Sequence, residues 1–346
     1  MDEDVLKKLM EKEVVMSNPQ NMNGGSFAIV SGRTNPLLVS KVAKYLGVKP
    51  VFFDTKNWGN GQPKCFRPAD VTFQGRQVFI VTSLQYRGVG SPVEELELMY
   101  EACASASATH IIPTWFCTKD DVDHGPGHIP NAPMIARRIR SLHPTSINCF
   151  DLHQSGHIGY FAPHRRRRFY FLRLLIEFAK KIGIDQIAGT DFSSTKRALK
   201  VEEYLQTGVP FVFAQKEHQH GSENAIALHQ QFGKIIGEKI GLFDDMALTL
   251  GTLKQSAKNL TEMGAQKIYA FAPHFDPTPD TYRNLTECLE KGWLTALVTT
   301  NSTHIDQQYL DLGYNKFIVR DVSPFVGEVI RSIIEGKSTS PFFDDI

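Results

Sequence analysis

Lys239-Ile-Gly-Leu-Phe-Asp244-Asp245-Met-Ala-Leu248-Thr249-Leu-Gly251-Thr252 is the stretch on which the fold turns. An apolar run delivers two adjacent acids, and a turn carrying threonines and a glycine leads into a helical pattern. Such a run reads as a strand buried on both faces. The acids then stand at its carboxyl end, where open α/β sheets bind their ligands. Gly251 permits close backbone approach, Thr249 and Thr252 offer hydroxyls, and a helix start favours a phosphate. Asp244 and Asp245 can accept hydrogen bonds from two vicinal sugar hydroxyls. A strand ended by solvated acids and a capped helix is the competing reading, and this stretch alone does not separate the two.

The same grammar extends in both directions. Phe27-Ala-Ile-Val30 and Val78-Phe-Ile-Val81 read as strands. Between them Val39, Val42, Ala43 and Leu46 fall on one helical face that Gly47 can end. Pro92 opens a helix with Val93, Leu96 and Met99 inward, and His110-Ile-Ile112 is a strand stopped by Pro113. A helix near residues 133–142 and a strand at 147–150 follow. The second half repeats the alternation: a helix around Leu172 to Ala179, strands at 186–188 and 211–213 with a helix between them, then strands at 239–243, 267–271, 294–298 and 316–319. Val326, Val329, Ile330 and Ile333 mark a last helix. Apolar strands alternating with helices imply parallel sheets covered on both faces. The expected layout is a disordered leader over 1–25, α/β domains over 26–163 and 164–322, and a terminal helix over 323–346 packing back on the first domain.

The 346 residues exceed what one core usually serves. Lys+Arg of 38 against Asp+Glu of 37 gives no electrostatic reason to expect nucleic acid or an anionic membrane. The exception is His164-Arg165-Arg166-Arg167-Arg168, read as a solvated face, with a phosphate or subunit contact as the alternative. The five cysteines are scattered without metal or disulfide spacing, which fits a reducing cytoplasm. No stretch reaches membrane-spanning length.

Further segments carry a family likeness. Glu94-Glu-Leu-Glu-Leu-Met-Tyr-Glu through Pro113, Phe150-Asp151-Leu152-His153, Thr190-Asp191 with Lys196-Arg197, Gln215-Lys216-Glu217-His218, and Ala272-Pro273-His274 occur in order along the chain. With the Asp244–Thr252 stretch, this series resembles the ribose-phosphate pyrophosphokinases, built from two type I phosphoribosyltransferase-type domains. The resemblance runs from about Phe27 to Glu335. It implies pyrophosphoryl transfer from ATP to the C1 hydroxyl of ribose 5-phosphate, giving phosphoribosyl pyrophosphate and AMP, with Mg²⁺ as cofactor. It also implies homo-oligomers built from dimers, up to hexamers.

The resemblance assigns roles residue by residue. His153 and Asp191 fall at metal-contacting positions. Asp244 and Asp245 would hold the ribose hydroxyls, and Thr249, Gly251 and Thr252 the 5-phosphate. Lys216 and His218 occupy the basic loop that meets phosphates in flight, with Asp244 as their catalytic companion. Trp58, Asn60 and Gln62 fall where the family stacks and orients adenine, and Lys119 and Asp121 where it carries further ATP contacts. A core tryptophan, a structural histidine and a surface lysine are the plain alternatives for Trp58, His153 and Lys216.

Departures cluster in these places. The family's Arg-Gln-Asp reads Lys119-Asp120-Asp121, exchanging a bidentate cation for a point charge. Its second loop cation is His218, Gln62 replaces a Glu, and Leu248 stands where the ribose-phosphate loop has an acid. Three readings stay open: an active divergent pyrophosphokinase, a non-catalytic relative regulating an active partner, and a phosphoribosyltransferase. Retention of His153, Asp191, Lys216, Asp244, Asp245 and the Thr-x-Gly-Thr turn puts the first ahead.

Overall fold

The structure, a computed structural model, describes residues 25–86, 90–116, 120–121, 125–189, 195–208, 212–216, 229–232 and 234–342. Strands β1 (Phe27–Ser31), β2 (Val51–Phe52), β5 (Gln77–Ser83), β6 (Ala108–Trp115), β7 (Ser146–Phe150) and β8 (Arg166–Phe169) form a first sheet. Its order is β2-β1-β5-β6-β7-β8, every pairing parallel. Between β2 and β5, β3 (Asp54–Asn57) and β4 (Pro63–Phe66) make a separate antiparallel hairpin.

A second sheet holds β9 (Gln186–Gly189), β10 (Val212–Lys216), β11 (His229–Phe232), β12 (Lys239–Phe243), β14 (Lys267–Phe271), β16 (Ala296–Thr300) and β17 (Phe317–Arg320). Its order is β11-β10-β9-β12-β14-β16-β17, parallel except for the β10–β11 edge. A two-strand ladder of β13 (Met246–Ala247) and β15 (His274–Phe275) sits just beyond the ends of β12 and β14. The alternation of strands and helices therefore gives the α/β fold that the sequence implied.

Each sheet is buried on both faces, which is why its strands read as unbroken apolar runs. One face of the first sheet packs Val30, Ile80 and Ile111 against Leu96, Met99 and Ile139 from its helices. On the other face lie Ile29, Phe79 and Ile112, helix Pro36–Tyr45, and Val326, Val329 and Ile330 of helix Ser323–Ile334. The last helix thus crosses back onto the first sheet. Gly327 permits this approach, since a Cβ there would stand 2.3 Å from the Tyr45 ring. Lys41 pairs with Asp321 at 3.0 Å along the same seam.

The polyarginine run is mainly a strand. Arg166–Phe169 is β8, the edge of the first sheet, with Arg166 outward and Arg168 buried over the Tyr170 ring. A division at 163/164 would cut this strand from its sheet, whereas one after Phe169 keeps the sheet whole. The leader expected over 1–25 lies, but for Gly25, outside the described residues. Among the described residues no helix is long and apolar enough to cross a membrane.

Candidate active site

Strand β12 ends at Phe243, and the two acids follow at once. The Asp244 amide donates to Phe271 O at 2.9 Å, extending the ladder one residue past the strand. Asp245 is buried and Asp244 half-buried. His153, just beyond β7 of the other sheet, donates from Nδ1 to Asp245 Oδ2. Arg197, on helix Thr195–Leu205, approaches Asp244 Oδ1 at 3.5 Å and Asp245 Oδ2 at 3.8 Å. Asp151, Leu152, His153, Tyr170, Arg197 and Asp245 line a cavity of about 100 Å³ here. Residues from both sheets therefore meet at one place.

The charges in this cluster are driven apart. Asp244 is pushed up to about 7, by burial first and by the neighbouring Asp245 second. Burial also pushes on Asp245, but the His153 hydrogen bond and Arg197 outweigh it and hold the group well below the usual carboxylate range. The same bond raises His153. Near neutrality Asp245 is an anion against an imidazole inclined to hold its proton, while Asp244 sits close to its midpoint. Asp151 is also raised to about 7 by burial, which the amides it receives partly offset. Those amides are Phe171 N at 2.6 Å and Leu172 N at 3.3 Å, so Asp151 caps helix Leu172–Ile182 from outside that helix. The Asp-Leu-His stretch thus holds a structural acid and a site imidazole on consecutive sides of one strand end.

The turn after the acids is braced from behind. Thr281 Oγ1 donates to Leu248 O, and Asn284 Nδ2 donates to Thr249 O at 2.8 Å. Leu250 takes the left-handed conformation with φ 60°, which costs a branched-chain residue on the order of 1–3 kcal/mol. Its side chain is buried among Leu253, Ala257 and Phe275, and that burial fixes the strained backbone. Gly251 then opens helix Gly251–Glu262, its amide donating to Thr249 Oγ1 at 3.3 Å. Thr249, Gly251 and Thr252 are all exposed at the helix start. Because the braces grip carbonyls, the Leu248 side chain plays no part in them.

Trp58, Asn60 and Gln62 sit elsewhere, at the tip of the β3–β4 hairpin. The Trp58 amide donates to Gln62 O at 2.8 Å and Asn60 Oδ1 accepts from the Gln62 amide at 3.1 Å, so the three form one tight turn. Trp58 is 53% exposed, which rules out a core tryptophan. The Lys64 ammonium lies 3.9 Å from its ring centroid. None of these three residues lines the cavity.

Asp121 belongs with His153. Its Oδ2 is 4.0 Å from His153 Nε2 and 2.8 Å from His157 Nε2, yet receives no hydrogen bond. Lys119, Asp191 and His218 lie outside the described residues, and of Lys216 only the backbone, at the end of β10, is described. His274 is buried, its Nδ1 sharing a hydrogen bond with Ser302 Oγ at 2.8 Å and its ring 4.5 Å from that of Trp115. Burial lowers it to about 3, so it is a neutral joint between the halves.

Of the polar side chains at or beside the cavity, Asp151, His157, Tyr170 and Arg197 were not singled out as site residues by sequence. Arg197 had a signal, as half of the Lys-Arg pair beside Asp191. Tyr170 and His157 had none, because only the fold carries them to this corner.

A carboxylate pair, an exposed turn and a helix start stand at one strand end of a two-sheet α/β chain, the arrangement expected from the resemblance to phosphoribosyl-handling proteins. Residues 27–139 match the family described as the N-terminal domain of ribose phosphate pyrophosphokinase, and 227–344 match the phosphoribosyl synthetase-associated domain. The chain is 24% identical over 331 residues to a ribose-phosphate pyrophosphokinase of Prochlorococcus marinus, covering 93% of this chain and 95% of that one. It is 29% identical over 338 residues to ribose-phosphate pyrophosphokinase 2 of Schizosaccharomyces pombe, covering 93% and 98%. In fold it is similar to phosphoribosylpyrophosphate synthetase from Mycobacterium smegmatis, with TM-score 0.78 at 22% identity over 90% of this chain and 99% of that one. The chain belongs to the ribose-phosphate pyrophosphokinase family.

Proposed function

We propose that this protein is a ribose-phosphate diphosphokinase that moves the pyrophosphoryl group of ATP onto the C1 oxygen of ribose 5-phosphate. The carrying observation is the Asp244–Asp245 pair, its Asp245 bonded to His153 at a cavity, followed by the open Thr249–Thr252 turn. Asp244 and Asp245 accept hydrogen bonds from the ribose 2- and 3-hydroxyls, and the turn's amides and hydroxyls take the 5-phosphate. Held this way, the C1 hydroxyl gives up its proton to water as its oxygen bonds the β-phosphorus of ATP. The bond from that phosphorus to the α-bridging oxygen breaks, and AMP leaves. Lys216 and His218 are assigned to the charge in flight, and Trp58, Asn60 and Gln62 with Lys119 to the nucleotide.

Mg²⁺ fits the donors present. Among the described residues no three His, Cys, Asp or Glu side chains converge enough to hold a metal unaided. Mg²⁺ instead takes one or two protein ligands and completes its shell with water and phosphate. His153 and Asp191 are its proposed contacts, and the buried Oδ2 of Asp121 beside His153, which receives no hydrogen bond, supports a cation there. When bound, the ion screens the phosphate charge and polarises the transferring group. A cytoplasmic, homo-oligomeric enzyme built from dimers completes the proposal.

Purified protein given labelled ATP, Mg²⁺ and ribose 5-phosphate is expected to yield AMP and phosphoribosyl pyrophosphate in equal amounts, lost in Asp244→Ala and His153→Ala. No turnover by protein that still binds ribose 5-phosphate would overturn the enzyme and leave the regulatory relative.

A further inference from the structure

We infer that Asp121 faces the divalent cation held at His153, and that His157 is the positioning residue that keeps its carboxylate there. The inference rests on the proposed metal role of His153 and adds two residues to it. The side chain of Asp121 is 1% exposed. A buried carboxylate oxygen is normally saturated with hydrogen bonds, and one without them is costly. Oδ2 of Asp121 has none, although two imidazole nitrogens stand 2.8 and 4.0 Å from it. Asp244 and Asp245 add carboxyl groups to the same corner, against the guanidinium of Arg197. Such a corner, rich in carboxyl groups with one oxygen unsatisfied, suits a cation.

The arrangement of the two histidines gives the direction. His153 commits Nδ1 to Asp245, which turns its Nε2 edge toward Asp121. A cation at that edge meets a nitrogen from His153 and an oxygen from Asp121, leaving other positions for water and phosphate. His157 is held from two sides. Its ring stacks on Tyr160 at 5.1 Å and 17°, and its Nδ1 accepts the Gln154 amide at 3.4 Å. Its proton is thereby placed on Nε2, next to Asp121 Oδ2. Electrostatic attraction then keeps the carboxylate from swinging away from His153. Partners of this kind, one step behind a ligand, commonly govern metal affinity.

Mn²⁺ binding to the full chain, read from the free-ion paramagnetic resonance signal without substrates, tests this independently of turnover. Asp121→Asn is expected to weaken binding about 10–100-fold, the range typical for such partners. It should also raise the melting temperature of metal-free protein, since it replaces a buried carboxylate that has one oxygen without a hydrogen bond. His157→Phe keeps the stacking and loses the ring nitrogen beside Asp121, and is expected to weaken binding about tenfold. His157→Gln restores an N–H and should recover most of the loss. Unchanged Mn²⁺ affinity in Asp121→Asn, with a lowered melting temperature, would make Asp121 a structural partner of His157 and overturn the inference. If His157→Phe alone binds normally, the positioning role falls. If His153→Ala also binds Mn²⁺ normally, the metal reading of His153 fails and carries this inference with it; weakened binding there beside a normal Asp121→Asn sinks the inference alone.

Discussion

The turn that follows β12 and the tip of the β3–β4 hairpin are the two regions assigned to substrate, and they are built in opposite ways. The turn grows from a central strand, is gripped at two carbonyls by Thr281 and Asn284, and pins a left-handed Leu250 with its buried side chain. Among the described residues the hairpin's strands pair only with each other, and Trp58 is left half in solvent. On the proposed function, the sugar phosphate would meet a braced turn and the nucleotide a more exposed hairpin tip. A rigid cradle suits a small sugar phosphate that must be oriented for attack, because holding geometry is where such catalysis gains most.

Four changes would break or sharpen this contrast. Asp245→Ala removes the anion that His153 and Arg197 share. It is expected to cut kcat/KM by at least about 100-fold and to lower the His153 pKa, read by NMR titration of the imidazole. Thr281→Val takes away a buried brace on Leu248 O, worth about 1–3 kcal/mol. It should lower the melting temperature and raise the KM for ribose 5-phosphate, leaving the KM for ATP unchanged. An equal rise in both would show that the turn is not a separate rigid unit. Trp58→Ala should do the reverse, raising the KM for ATP about tenfold, the low end of what a base loses with its stacking partner. Melting temperature should hold, since the ring is not part of the core.

The smallest effect concerns pH. An acid whose folded pKa is raised binds more protons folded than unfolded, so its contribution is full below the unfolded value near 4 and is lost as pH rises through about 7. Asp244→Asn should therefore melt like the parent at pH 4 and above it at pH 8. Equal melting curves at both pH values would show that Arg197 offsets the burial of Asp244 in full.

Much of the architecture was legible in advance, and unevenly. Strands such as Val78–Val81 and Lys239–Phe243 announced themselves because both of their faces are buried, so no polar residue interrupts the run. β8 did not, because an edge strand tolerates arginines and its sequence reads as a charged face. The β3–β4 hairpin was missed as well, having no apolar face to give it a period. In the candidate site, Asp244 and Asp245 stood out because they follow directly on a strong strand, and His153 through the Asp151-Leu152-His153 stretch. Asp121 was placed with the nucleotide contacts, and the structure adds that it lies beside His153 and His157.

By itself the sequence determined the two-sheet α/β plan, the acid pair at a strand end and the turn that follows it. These are local matters, fixed by apolar period, glycine placement and neighbouring residues along one segment. Only the tertiary structure decided that His153, His157 and Asp121 from the first sheet would close on Asp245 and Arg197 from the second. The physical reason is that the contacts span up to 92 residues. Their geometry depends on how two independently twisted sheets dock, which no local pattern encodes.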